Sequence, residues 1–64
     1  MRISRVIPAP PSYDVQNEAG DDIGLIDTAN HEVVFYPYVY KKAKFTIKDL
    51  AEIVAAMEKI NGNS

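Results

Sequence analysis

Cysteine is absent from this chain of 64 residues, which removes disulfides and excludes thiolate zinc sites. Histidine occurs once, at His31, so a histidine-rich metal cluster is excluded as well. No run approaches the roughly 18 apolar residues that a membrane span requires. Met1–Arg5 leads into VIPAP rather than an apolar h-region, so no secretory signal is expected. Glycine-rich phosphate loops are missing, since GDDIG lacks the lysine and the following helix. These absences set the expectation of a soluble cytoplasmic protein, with no cofactor, no metal and no membrane partner. Chains of about 60 residues bury only about 60% of the surface they expose when unfolded. With disulfides and metal removed as supports, a compact core or association with another chain must supply the stability.

Charge is present but segregated. The net charge of −2 hides an acidic stretch from Pro8 to Phe35 that carries Asp14, Glu18, Asp21, Asp22, Asp27 and Glu32 without a lysine or arginine. Arg2 and Arg5 precede it, and Lys41, Lys42, Lys44, Lys48 and Lys59 follow it. Such clustering gives a surface a sign and can steer a partner.

The strongest periodic signal is FTIKDLAEIVAAMEKING. Thr46 suits an N-cap, Asp49 stands where a capping box places its acid, and Phe45 can staple onto Leu50. Gly62 follows as a left-handed C-terminal stop, and Lys59 complements the last turn. At about 100° per residue, Ile47, Leu50, Ile53, Val54, Met57 and Ile60 share a face. The spacing predicts a helix over residues 46–61.

Upstream the period shortens towards two. DIGLID and EVVFYPYVY read as strands joined through TANHE, where Asn30 and His31 form turns. SYDVQ reads as another strand, reaching DIGLID through EAGD with Gly20 at positive φ. RISRVI adds a short strand that pairs with an edge. The expectation is one α+β domain over residues 1–64: a strand plus proline-rich arm (1–12), a β-meander of three to four antiparallel strands (13–40), and a C-terminal helix packed on one face. Ile23, Leu25, Val33 and Phe35 are then expected to face Leu50, Val54 and Met57.

One helix covers one face of a sheet. Alternation puts Val34, Tyr36, Tyr38 and Tyr40 on the other, with Ile26 beside them. A wet sheet face normally carries polar residues, and Pro37 limits the row because it has no N–H. Three occupants fit this surplus: the proline arm folded back as a lid, another protein or a second copy of this chain, and stacked bases. Lys41, Lys42 and Lys44 favour the last, whereas the net negative charge and the acidic hairpin oppose phosphates.

The arm itself, RVIPAPPSY, matches Arg-x-x-Pro-x-x-Pro and Pro-Pro-x-Tyr. The first resembles ligands of Src-homology-3 domains and the second resembles ligands of WW domains, both read as polyproline II helices. A rigid connector between strands is the expected role. Calcium is not indicated, because an EF-hand loop aligned on Asp14 would need glycine and glutamate where Ala19 and Leu25 stand. His31 is the single candidate general base, no hydroxyl has a nucleophile context, and a two-layer domain of this size has little room for a desolvated pocket.

The residues therefore point to a non-enzymatic protein-interaction module, a small accessory regulator or inhibitor of the kind encoded by phages and mobile elements. Its expected contact surface is Val34, Tyr36, Tyr38 and Tyr40, with Asp21, Asp22 and Asp27 steering a basic protein partner. The alternative is a single-stranded nucleic-acid binder that uses the same tyrosines and the Lys41–Lys44 cluster.

Overall fold

The computed structural model describes residues 1–8 and 10–62. Strand β1 (Arg2–Pro8) is followed by β2 (Pro11–Gln16), β3 (Asp22–Asp27) and β4 (Val34–Pro37), then a 3-10 turn (Val39–Lys41) and helix α1 (Ile47–Gly62). The strands form one four-stranded sheet in the order β1-β2-β3-β4, with every neighbour antiparallel. This is the expected α+β meander with a C-terminal helix.

Each reversal has a local cause. Pro8 pairs with Pro11, so the prolines bracket a tight hairpin rather than forming a separate arm. Arg5 to Pro8 and Pro11 to Tyr13 lie in hydrogen-bonded strands, not in polyproline II helices, and they do not lie over the tyrosines as a lid. Gly20, at φ 87°, closes the β2–β3 turn. There its N–H donates to the Asn17 carbonyl, and the Asp21 N–H donates to Asn17 Oδ1, each at 3.0 Å. In the β3–β4 connection His31 takes the left-handed conformation at φ 61°, while Thr28 Oγ1 donates to the Pro11 carbonyl at 2.6 Å and ties this loop to the first hairpin.

Two register irregularities decide which side chains face inward. One lies between Arg5 and Ile7 in β1; the other opposes Val15 and Gln16 to Gly24 and Asp22, so that Ile23 is the extra residue of a bulge in β3. A bulge puts two residues against one and resets the alternation. Ile23 and Ile26 can therefore both enter the core, at 3% and 0% exposure, although they are three residues apart. Leu25 turns to the opposite face, across from Tyr36. The expectation that Leu25 faces the helix and Ile26 joins the tyrosines is overturned by this one inserted residue.

The core comprises Val15, Ile23, Ile26 and Ile53 among the described residues, with Ile3, Tyr13, Val33, Phe35, Phe45, Met57 and Ile60 packed around it. The capping box of α1 forms as expected: the Thr46 N–H donates to Asp49 Oδ2 at 3.0 Å, and the Asp49 N–H donates to Thr46 Oγ1 at 3.1 Å. Phe45 meets Phe35 edge-on, with ring centroids 5.9 Å apart, which anchors the entry to the helix. The roll of the helix differs from expectation. Ile53, Met57 and Ile60 point inward, whereas Ile47, Leu50 and Val54 remain 89%, 47% and 50% exposed. The apolar residues of α1 span a wider arc than this narrow sheet can cover, and the half around Ile53 is the half it takes.

Candidate interaction face

Tyr13, Val15, Ile26 and Phe35 point to the helix, so the residues between them share the opposite face of the sheet. The register sets them in rows. Ser12 opposes Asp27, which opposes Val34. Asp14 opposes Leu25, which opposes Tyr36. Gln16 opposes Asp22 and donates to its Oδ1 from Nε2 at 3.0 Å. Helix α1 occupies the other side, and these rows stay partly open: Leu25 and Val34 are half-buried and Tyr36 is half-exposed, while Ser12 at the end of the face is buried.

Beyond Pro37 the strand hydrogen bonding continues for one residue, as the Tyr38 N–H donates to the Ile23 carbonyl at 2.9 Å. The chain then enters the 3-10 turn, which brings Tyr40 back onto Tyr38. Their rings stack at 5.7 Å between centroids, tilted by 26°. Partial burial pushes the Tyr38 phenol above its ordinary pKa, and Asp14, Tyr40 and Asp22 push it the same way. The phenol stays protonated and can donate a hydrogen bond beside the two carboxylates.

The structure thus brings Val34, Tyr36, Tyr38, Asp22 and Asp27 onto one surface, and Tyr40 joins it by stacking. Asp21 stands apart, exposed in the β2–β3 turn. Ser12, Asp14, Gln16 and Leu25 belong to the face and were missed in the sequence. Asp14 alternates with Tyr13 and Val15, so its side was legible once SYDVQ was taken as a strand. Leu25 was not, because its direction depends on the bulge. The result is an apolar patch of Leu25, Val34 and half-exposed Tyr36, rimmed by Asp14, Asp22 and Asp27. Lys41 and Lys42 follow in the 3-10 turn and its cap, and both are exposed.

Two other surfaces have shape. A cleft of about 970 Å3 lies between the first hairpin, the β3–β4 loop and the end of α1, lined in part by Arg5, Tyr13, His31, Glu32, Lys59 and Ile60. A cleft of this size was not expected. His31 lies there with Thr28, whose hydroxyl is committed to the Pro11 carbonyl. On the outside of α1, Ile47, Leu50, Ala51, Val54, Ala55 and Glu58 form a shallow apolar groove. Among the described residues no three histidine or carboxylate side chains converge to hold a metal ion, and no helix is long and apolar enough to cross a membrane. No family model, curated protein or solved structure matches the chain.

Proposed function

We propose that this chain is a non-enzymatic protein-interaction module, a small regulator or inhibitor that works in the cytoplasm by covering part of another protein's surface. The observation that carries the reading is the partly open sheet face: Leu25, Val34 and Tyr36 in adjoining rows, the Tyr38–Tyr40 stack beside them, and carboxylates at the rim. Tyrosine suits such a role because a large apolar ring and a polar tip are held by few rotatable bonds. The apolar centre supplies the affinity, and the rim of Asp14, Asp22 and Asp27 selects a partner whose matching patch is ringed by lysine or arginine. The same carboxylates count against nucleic acid, since they share the face with the rings on which bases would stack and would repel phosphates.

A photo-crosslinker at position 36, installed in the cell that makes the protein, tests the reading. A discrete protein adduct is expected, weakened when Asp22 and Asp27 are both replaced by lysine and lost with Tyr36→Asp. Adducts to nucleic acid, or anisotropy of labelled single-stranded oligonucleotides that rises at low salt and depends on Lys42, would replace it with the nucleic-acid reading.

A further inference from the structure

We propose that the outward face of α1 pairs with the same face of a second copy, in an antiparallel two-fold dimer that leaves the tyrosine-bearing faces pointing away from one another. The proposal stands independently of what those faces bind.

Ile47, Ala51, Val54 and Glu58 follow a spacing of four, three and four, which is one seam along a helix. Ile47 is 89% exposed and Val54 50%, so α1 presents to water an apolar stripe as long as the one it buries. Small residues at Ala51 and Ala55 let a second helix approach at the short end of the roughly 8–10 Å range for packed helices. In a two-fold pair, where one residue of the first copy meets another residue of the second, the reverse contact forms as well. Antiparallel pairing about the midpoint of the seam puts Ala51 against Val54 and Ile47 against Glu58 of the other copy.

Glu58 determines both the occupant and the direction. It stands exposed on the seam, about a turn before the end of its own helix. In the antiparallel pair each Glu58 comes to the first turn of the opposite helix, the positive end, beside Lys48. By symmetry the dimer gains this Glu58–Lys48 attraction twice. A parallel pair would instead set Glu58 against Glu58. A seam whose own charges pair in this way is complementary to itself.

Light scattering and sedimentation equilibrium on the full chain, from micromolar to millimolar concentration, test this. The expected mass rises to twice the 7.1 kDa of the chain. Val54→Lys should weaken the dimer about tenfold or more, while circular dichroism stays that of the wild type because the position is already half in solvent. Lys48→Glu and Glu58→Lys should each weaken it about threefold to tenfold, and the double reversal should restore it. Glu58→Lys also adds a cation towards the negative end of the helix, so in the dilute monomer it should leave the thermal midpoint unchanged or raised. A monomer at every concentration overturns the proposal. So does a dimer that survives Val54→Lys but is lost with Tyr36→Asp, which would place the contact on the sheet. Dimerisation indifferent to the charge reversals overturns the antiparallel arrangement.

Discussion

A Cβ built on Gly24 would fall 2.5 Å from Cε1 of Phe35 and 3.0 Å from the Tyr36 carbonyl oxygen. Glycine at this strand position is therefore required by the Phe35 ring, which lies over the backbone and reaches Phe45 beyond it. Gly24→Ala is expected to cost about 1–3 kcal/mol, as overpacking does, and chemical denaturation measures it. Ser12 presents the converse case. It is 3% exposed, and among the described residues its Oγ has no hydrogen-bond partner, so a polar atom has lost water without compensation. Ser12→Ala should be neutral or stabilise the fold by up to about 1 kcal/mol, read as a higher urea midpoint with an unchanged slope. Asp49 brings pH into the balance. The Thr46 backbone N–H lowers its carboxyl pKa first; partial burial opposes this, and the Thr46 hydroxyl, the Met1 amino group and Lys48 lower it further. A depressed folded pKa means the stabilisation is complete above the unfolded carboxyl's pKa and is lost as pH falls through the folded value. Asp49→Asn should flatten the acid limb of the stability–pH curve, which thermal melts between neutral pH and strong acid will show.

Helix α1 was legible as a helix because its signals are local. The cap residues and the 3.6-residue period lie within the element, although Gly62, expected as a left-handed stop, is the last helical residue instead. Thr46→Ala should cost about 1 kcal/mol by removing the hydroxyl that caps Asp49. Its orientation was not legible, since Leu50 and Val54 match the period as well as Ile53 and Met57 do. Substitution separates the two stripes. Ile53→Ala, at 2% exposure, should lose about 2–4 kcal/mol. Val54→Ala in dilute monomer should lose no more than about 0.5 kcal/mol. Equal losses at both positions would mean that the helix sits rolled the other way. The strands show the same division. SYDVQ, DIGLID and the start of β4 were readable from composition and turn residues, whereas the proline-rich segment was misjudged as an arm because a hairpin turn flanked by prolines resembles a spacer until its partner strand is known.

At the scale of the whole molecule the structure is a thin core between two greasy exteriors. Val15, Ile23, Ile26 and Ile53 are the buried apolar residues among those described, so the chain has little stability in reserve and much surface to offer. If the sheet face binds a protein ringed by basic residues, association should slow as salt rises, while Tyr36→Asp removes binding without lowering the melting temperature. Stopped-flow mixing with the crosslinked partner and differential scanning calorimetry of the variant would establish both.

Sequence alone determined the elements and their order, because helix caps, turn glycines and alternation act over a few residues and need no distant partner. It also determined that apolar surface would be left over, since one short helix cannot hide this many large side chains. Tertiary structure decided where the surplus lies. The bulge at Ile23 sends Ile26 inward and Leu25 outward, and the anchor of Phe45 on Phe35 rolls α1 so that Ile47 and Val54 face water. Both outcomes depend on contacts between residues distant in the chain, which no local pattern records.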